Sequence, residues 1–223
     1  MKINELKIYS SNLDQQVEFY SSTLGLELIK RTPVEAKIQI GKSILTLLKN
    51  KQSLPYHFAI NIPSNMETEA LEWLKERVVI LKDGQHEIQD FDFWNAKAIY
   101  FYDKDKNIVE LIARKNLNNQ LDGAFNSECL LEISEIGMPV NNIEPIYLSL
   151  KATTGIPIFS GDIERFCAIG NEQGLFICID KQLKDWFPTG EKAHSADFEI
   201  SFQESDKNFH LDFKDENISL TKI

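Results

Sequence analysis

The sequence AIYFYDKDKNIVELIARK, from Ala98 to Lys115, holds the pattern that decides the fold. Its two arms, Ala98–Tyr102 and Ile108–Arg114, are rich in apolar and β-branched residues, which favour β-strands. The polar run Asp103–Asn107 lies between them and is typical of a turn. This stretch is therefore predicted to form a β-hairpin.

Glu110 is the only acidic residue in the second arm, and its neighbours are apolar. Because side chains alternate along a strand, Glu110 shares one face with Ile108 and Ile112. A buried carboxylate without a partner costs several kcal/mol, so we expect a compensating group to meet it. A metal ion, a cation or water in a cavity would serve.

Composition and charge limit the partners. The chain has 223 residues, 43% hydrophobic and 26% charged, which is ordinary for a soluble globular protein. A formal net charge of −10 opposes binding to nucleic acid or an anionic membrane, so we expect a small-molecule partner. No apolar run approaches the roughly 18–20 residues that span a bilayer. The N-terminus lacks the apolar core of a signal peptide, so a cytoplasmic location is expected.

Two segments, 1–50 and 54–115, show the same order of predicted elements: a strand, a helix and three strands. Ile3–Tyr9 is the alternating strand that opens the first segment, and Tyr56–Ile62 opens the second. The sequence Ser-Asn-Met-Glu from Ser64 predicts a capping box at the start of the second helix. These two βαβββ units form an internal repeat, which fixes the fold more firmly than any single motif.

The remaining chain predicts a linker and a third unit. Residues 116–129 are polar and typical of a linker, whereas residues 130–223 predict a looser βαβββ-like unit. Its first strand is predicted over Leu130–Val140, and Asn142 can cap the helix that follows. The predicted fold class is therefore α+β, built from repeated βαβββ modules of which the third is divergent.

Three stretches, LDQQVEFYSSTLGLELI, YHFAINIP and FYDKDKNIVELI, carry a resemblance to a known family. In this order they resemble the vicinal oxygen chelate superfamily, which includes glyoxalases, extradiol dioxygenases, fosfomycin-resistance thiol transferases and bleomycin-binding proteins. The resemblance covers Met1 to about Arg114. It implies that modules 1–50 and 54–115 pair into a curled sheet around a cavity. It also implies a divalent metal ion that chelates two adjacent oxygen atoms of the substrate.

Carried over by position, the resemblance assigns His57 and Glu110 as metal ligands from the first and last strands of the second module. In the first module, Glu5 stands where a histidine is expected, and Thr46 stands where some members carry a glutamate. Glu5, His57 and Glu110 would make a site with one histidine and two carboxylates. Such an oxygen-rich set suits Mn²⁺, Mg²⁺, Ni²⁺ or Zn²⁺. It differs from the iron site of dioxygenases, which usually has two histidines and one glutamate. Iron and a metal-free protein stay open as alternatives.

Other readings of these residues are also open. His57 could be an inert strand histidine, and Glu5 could be a general base or a strand-edge carboxylate paired with Lys7 or Lys37. Glu135 precedes the third predicted helix by the interval that separates Glu5 from the first. This supports a common origin of the modules, but no second metal site is expected there because no His or Glu partner lines up.

Five further residues are predicted to line the substrate pocket, although aromatic residues in such loops often belong to the core. They are Thr46, Tyr56, Trp94, Asn95 and Lys97.

The resemblance leads to two functional hypotheses. The first is a metal-dependent lyase, isomerase or ring-cleaving dioxygenase that acts on a small molecule with vicinal oxygens. The second is a metal-free protein that sequesters a small molecule, as bleomycin-resistance proteins do. In either case segment 130–223 could be a scaffold or a homodimerisation unit.

Overall fold

Two mixed β-sheets and three α-helices make up the computed structural model, which describes all 223 residues. The predicted α+β class is confirmed. The helices are α1 (Leu13–Glu18), which continues as a π-helical turn over Phe19–Thr23, α2 (Glu67–Lys75) and α3 (Ile143–Thr154). The strands are β1 (Lys2–Ser10), β2 (Leu28–Arg31), β3 (Glu35–Ile40), β4 (Ser43–Lys49), β5 (His57–Ile62), β6 (Ile80–Leu81), β7 (Gln89–Phe91), β8 (Ala96–Tyr102), β9 (Ile108–Arg114), β10 (Glu132–Val140), β11 (Ile158–Gly161), β12 (Phe166–Asn171), β13 (Gly174–Asp180), β14 (Phe198–Glu204), β15 (Lys207–Lys214) and β16 (Asn217–Lys222). None of the helices is both long and apolar enough to cross a membrane.

Of the two helix caps predicted from the sequence, one is observed. The Asn142 side chain accepts a hydrogen bond from the backbone N–H of Glu144 at 3.1 Å, as expected at the start of α3. The capping box predicted from Ser64 is wrong, because α2 begins at Glu67 and Met66 caps it without a side-chain hydrogen bond. The Ser64 backbone N–H instead donates to the Asn119 side chain at 3.0 Å.

The predicted hairpin is confirmed, since β8 and β9 are antiparallel neighbours. Asp103 holds the turn between them. Its Oδ1 accepts the backbone N–H groups of Asp105 and Asn107, both at 3.0 Å, and its Oδ2 accepts the Tyr20 hydroxyl at 2.8 Å. Lys106 takes the left-handed position of the turn with φ 65°, which an L-residue seldom adopts. The buried carboxylate thus stabilises a turn that has no glycine.

We expect Asp103 to make stability depend on pH. Burial raises the pKa of Asp103 from 3.8 to about 6, against hydrogen bonds from Asn107 and Tyr20 that lower it. The folded protein therefore binds this proton more tightly than the unfolded chain. The protonated Asp103 side chain therefore contributes to the free energy of unfolding. This contribution is complete below the pKa of the unfolded chain and is lost as pH rises through the pKa of the folded protein. Relative to Asp103→Asn, the wild-type free energy of unfolding should fall by about 3 kcal/mol between about pH 4 and pH 6. Urea denaturation of both proteins across this range measures the difference, and parallel stability curves would contradict it.

The pairing of the modules differs from the prediction. The first sheet has the order β16-β15-β14-β1-β4-β3-β2, and the second has the order β11-β12-β13-β10-β5-β9-β8-β6 with β7 also on β8. Residues 1–50 and 54–115 thus lie in different sheets, and their predicted pairing in one curled sheet is wrong. Instead, β1 pairs with β14 and β5 pairs with β10, both antiparallel.

Burial of the strands explains this choice. Every residue of β5 and β10 is buried, so both strands need cover on both faces. By contrast, β1 and β14 largely alternate between buried and half-exposed positions, which suits a sheet with one open face. Strands with the same pattern therefore share a sheet, although they lie far apart in the sequence.

Residues 130–223 are divided between the two sheets rather than forming one unit. The second sheet takes β10 to β13 and the first takes β14 to β16. The loop 181–197 connects them. The stretch 116–129, predicted as a linker, also contributes to packing, because the Phe125 ring is buried at 5.4 Å from Trp73.

The main core lies between the two sheets and includes Leu6, Phe58 and Ile200. A second, smaller apolar cluster covers the other face of the second sheet and includes Ala59. Because side chains alternate along β5, His57 shares that outer face with Ala59. The outer face of the second sheet is where the candidate site lies.

Candidate metal centre

Three adjacent strands bring His57, Glu110 and Glu135 together on the outer face of the second sheet. His57 lies on the central strand β5, and Ala59, two residues further on, is paired with Glu110 of β9 on one side and Glu135 of β10 on the other. His57 Nε2 lies 3.5 Å from Glu110 Oε2 and 3.8 Å from Glu135 Oε2. One ligand atom from each residue lies within 4.8 Å of the others, and all three side chains are buried.

His57 is oriented by a backbone carbonyl. Its Nδ1 lies 3.1 Å from the Ile108 carbonyl oxygen, and we assign it as the donor of that hydrogen bond. The other nitrogen, Nε2, then faces the two carboxylates. A backbone acceptor that fixes the ring in this way is the usual support of a metal-binding histidine. Burial alone would lower the pKa of His57, but the Glu135 carboxylate and the negative charge of Glu110 outweigh it and raise the pKa.

Burial favours the protonated form of Glu110. Burial, followed by the negative charge of Glu135, raises the pKa of Glu110 to about 8, although His57 and Arg114 oppose this shift. The raised pKa values of Glu110 and His57 have one cause in common, the negative charge of the neighbouring carboxylates. A divalent ion bound there would take the place of protons as the positive charge.

Arg114 fixes the second carboxylate. Its side chain is fully buried, and its Nη2 donates to Glu135 Oε1. Its Nε donates to the Asn61 side-chain oxygen at 3.2 Å, and its guanidinium lies 5.4 Å from the Trp94 ring centroid. Because Arg114 takes Oε1 of Glu135, Oε2 is left to face His57. The residues present therefore fit a divalent ion: they offer one imidazole nitrogen and two carboxylate oxygens, and both His57 and Glu135 are oriented by a further group.

Glu5 does not belong to this group, and its predicted role as a third ligand is corrected. It lies on β1 in the first sheet, where it accepts hydrogen bonds from Lys37 Nζ at 2.7 Å and Thr46 Oγ1 at 2.6 Å. Burial would raise the pKa of Glu5, but the Lys37 ammonium and the Thr46 hydroxyl outweigh it and lower the pKa. This opposes the alternative role of general base, and it matches the alternative of a carboxylate paired with lysine.

A second group of possible ligands lies on the first sheet. His210 Nε2 is 3.2 Å from Asp212 Oδ1 and 3.8 Å from Glu199 Oε2. Lys7 already forms an ion pair with Glu199 at 2.7 Å, and the Asp212 side chain is 50% exposed. Because its charge is compensated and it is open to water, this group needs a metal ion less than the buried one does.

A cavity of about 560 Å³ opens over the buried group. Aromatic side chains form most of its walls: Phe91, Phe93, Trp94, Tyr100, Phe166, Trp186 and Phe187. The Trp186 ring lies 5.0 Å from the His57 ring and covers it from the loop 181–197. The three candidate ligands thus line a pocket that can hold a small molecule.

Of the five residues predicted to line the pocket, only Trp94 does so. Thr46 is bonded to Glu5 on the first sheet, and the Tyr56 hydroxyl donates to the Asp197 carbonyl at 2.6 Å beside a different cavity. Asn95 donates from its side chain to Asn116, and Lys97 Nζ lies 3.9 Å from Glu67 and 3.8 Å from Asp90.

Gly137 makes room for Trp186. A Cβ atom at this position would lie 2.6 Å from Trp186 Cη2 and 3.2 Å from the His57 carbonyl oxygen. We expect Gly137→Ala to force the Trp186 ring off His57 and to destabilise the protein by about 1–3 kcal/mol, the usual cost of overpacking. Tryptophan fluorescence should shift towards that of an exposed ring. Equal spectra and stability for Gly137→Ala and wild type would contradict this role.

Sequence reasoning missed Glu135, Arg114 and Trp186. Glu135 precedes its helix by the same interval as Glu5, which could have indicated a ligand. That interval was taken only as support for a common origin of the modules. Arg114 ends an apolar strand and resembles any residue at a strand boundary. Trp186 lies in a loop whose position depends on the tertiary fold.

Comparison with known proteins agrees with this architecture. Residues 2–111 match the family model described as the glyoxalase/bleomycin resistance protein/dioxygenase superfamily. The chain is 26% identical over 200 residues to catechol-2,3-dioxygenase of Bacillus subtilis (strain 168), a match that covers 78% of this chain and 68% of the relative. It is 30% identical over 116 residues to metallothiol transferase FosB of Staphylococcus haemolyticus, covering 49% of this chain and 81% of the relative. A crystal structure of a glyoxalase I mutant from Zea mays has the same fold, with a TM-score of 0.58 and 12% identity over 99% of this chain and 92% of that one.

Proposed function

Because the chain belongs to the glyoxalase/bleomycin resistance protein/dioxygenase superfamily, we propose that it is a metal-dependent enzyme for a small molecule with two adjacent oxygen atoms. In this proposal His57, Glu110 and Glu135 hold the ion. The observation that carries it is the buried cluster of one imidazole and two carboxylates at the base of an open cavity. Buried carboxylates on either side of His57 favour a positive charge beside them, which a divalent ion would supply.

We further propose that the substrate is an aromatic diol and that the reaction is oxidative ring cleavage. The aromatic walls of the cavity support a planar ring. The similarity to catechol-2,3-dioxygenase supports the same reaction, since it extends over both sheets of the chain. A divalent ion bound at the cluster would supply Lewis acidity towards the two hydroxyl oxygens.

The residues of this chain do the positioning. The Ile108 carbonyl and Arg114 hold His57 and Glu135 in one orientation each, so the site loses little freedom when the substrate binds. Trp186 and Tyr100 cover the polar group and exclude water, which strengthens the electrostatic interactions inside the site.

Oxygen uptake tests this proposal. Protein stripped with a chelator and reloaded with Mn²⁺ or Fe²⁺ should consume oxygen and catechol in equal amounts and release a yellow, ring-opened product. His57→Ala should lose this activity, whereas Glu5→Gln, on the other sheet, should keep it. If protein loaded with Mn²⁺, Fe²⁺, Ni²⁺, Zn²⁺ or Mg²⁺ consumes no oxygen with catechol, ring cleavage of catechol is wrong.

A second candidate is the metal-free binding protein. The ion pair between Arg114 and Glu135 favours it, because that pair already compensates one of the two carboxylates. Protein that cannot be loaded with any of these ions, yet is stabilised against heat by catechol, would support this candidate over the enzyme.

A further inference from the structure

Two positively charged side chains line the cavity of the candidate metal centre. Arg165 and Lys184 both contribute to its wall, and neither forms an ion pair, although the chain has 34 acidic residues against 24 basic ones. Asp90 and Asp92 also line the cavity, but Asp90 lies 3.8 Å from Lys97. Arg165 is exposed and Lys184 is half-buried, so both charges at the cavity wall are free to meet an anionic ligand.

The two cations are held close together. Arg165, just before β12, donates from Nε to the Leu183 carbonyl at 3.3 Å. Because Leu183 precedes Lys184, this bond holds the two charged residues near each other. The ammonium of Lys184 lies 5.6 Å from the Phe166 ring centroid. Burial, followed by the charge of Arg165, lowers the pKa of Lys184, so the two side chains repel each other in the absence of an anion. An anion between them would remove this repulsion.

Aromatic rings form the walls next to these two side chains. Trp94 lies 6.2 Å from Phe166 and 5.4 Å from Phe159, and the Phe187 ring lies 5.6 Å from that of Tyr100. The same cavity therefore offers ring-stacking surfaces, a pair of cations and, at its base, the cluster of His57 and two carboxylates. A ligand that uses all three features has an aromatic ring, an anionic group and adjacent oxygens.

We propose that the substrate of this site is an aromatic acid and that Arg165 and Lys184 bind its carboxylate. This inference rests on the proposed function for the position of the ring, and it adds the charge that the substrate carries. Two charge-assisted hydrogen bonds should favour the acid over its uncharged parent by about 10–100-fold in affinity.

Isothermal titration with two probes tests the inference. The probes are 3,4-dihydroxybenzoate and catechol, which differ only in the carboxylate. Wild-type protein should bind the acid about 10–100-fold more tightly than catechol, and salt should reduce the preference. In the double variant Arg165→Gln/Lys184→Gln the preference should fall to a few-fold or less. Arg165→Lys, which keeps the charge, should retain most of it.

The matched control is Lys151→Gln/Lys207→Gln, which removes two exposed lysines elsewhere and should leave the preference unchanged. Circular dichroism verifies that each variant is folded. Equal affinity of wild type for the two probes, no binding of the acid, or an unchanged preference in Arg165→Gln/Lys184→Gln would each overturn the inference.

The same titration on chelator-treated protein separates this inference from the proposed function. If the protein binds no metal and turns over no catechol, yet prefers the acid through Arg165 and Lys184, the enzyme proposal fails and the carboxylate site is retained. If it cleaves catechol but shows no preference for the acid, the enzyme is supported and the carboxylate site is wrong.

Discussion

Replacing Glu135 by glutamine should lower the affinity for Mn²⁺ by at least about 100-fold, since the change removes a carboxylate that faces the ion directly. Glutamine keeps the size of the side chain and can still accept a hydrogen bond from Arg114, although loss of the buried ion pair should also lower stability. The variant loses the negative charge of the carboxylate, whose Oε2 lies 3.8 Å from His57 Nε2. Titration calorimetry with Mn²⁺ on wild type and variant measures the change.

Glu5→Gln is the matched control for this prediction. It removes a carboxylate of the same type at a position that the sequence alone assigns to the metal, but which the structure places with Lys37 and Thr46. Its Mn²⁺ affinity should equal that of wild type. An affinity loss in Glu5→Gln as large as that in Glu135→Gln would show that the ligand set is wrong.

Arg114→Met should destabilise the metal-free protein by about 3–5 kcal/mol, because it leaves Glu135 buried beside Glu110 without its partner cation. Methionine fills similar space, so most of this loss comes from charge rather than from a cavity. Urea denaturation of chelator-treated protein measures it. The double variant Arg114→Met/Glu135→Gln should regain much of the stability, since it no longer holds an unpaired carboxylate.

A bound metal ion should also restore part of the stability that Arg114→Met loses. A bound divalent ion supplies the positive charge that Arg114 provided, so the loss of stability in Arg114→Met should be smaller in saturating Mn²⁺ than in chelator. A merely structural arginine would show the same loss in both conditions. That equality, or a double variant no more stable than Arg114→Met, would contradict the assigned role.

The features that depend on neighbours in sequence could be predicted. The hairpin of β8 and β9, the order of elements in residues 1–50 and the cap at Asn142 follow from alternation, turn residues and side-chain capping, which act over a few residues. The partners of β1 and β5 depend instead on which face of each strand must be buried. Because that requirement is met by strands distant in the sequence, the two units were wrongly joined in one sheet.

Two of the three residues of the candidate site were predicted, and the third was missed because it depends on strand pairing. His57 and Glu110 come from the first and last strands of one unit, and those strands are parallel neighbours, so the structure brings the two side chains together. The third carboxylate comes from whichever strand pairs with the other edge of β5. The family resemblance pointed to Glu5 through its position on the first strand of module 1–50, whereas the observed pairing of β5 with β10 brings in Glu135.

Anomalous X-ray scattering from crystals grown with Mn²⁺ is the most direct test of the metal centre. A single strong peak should lie within bonding distance of His57 Nε2, Glu110 and Glu135. A peak at Glu199, His210 and Asp212 with none at the buried cluster would contradict the assignment. So would the absence of a peak at saturating Mn²⁺ while the Arg114–Glu135 ion pair remains.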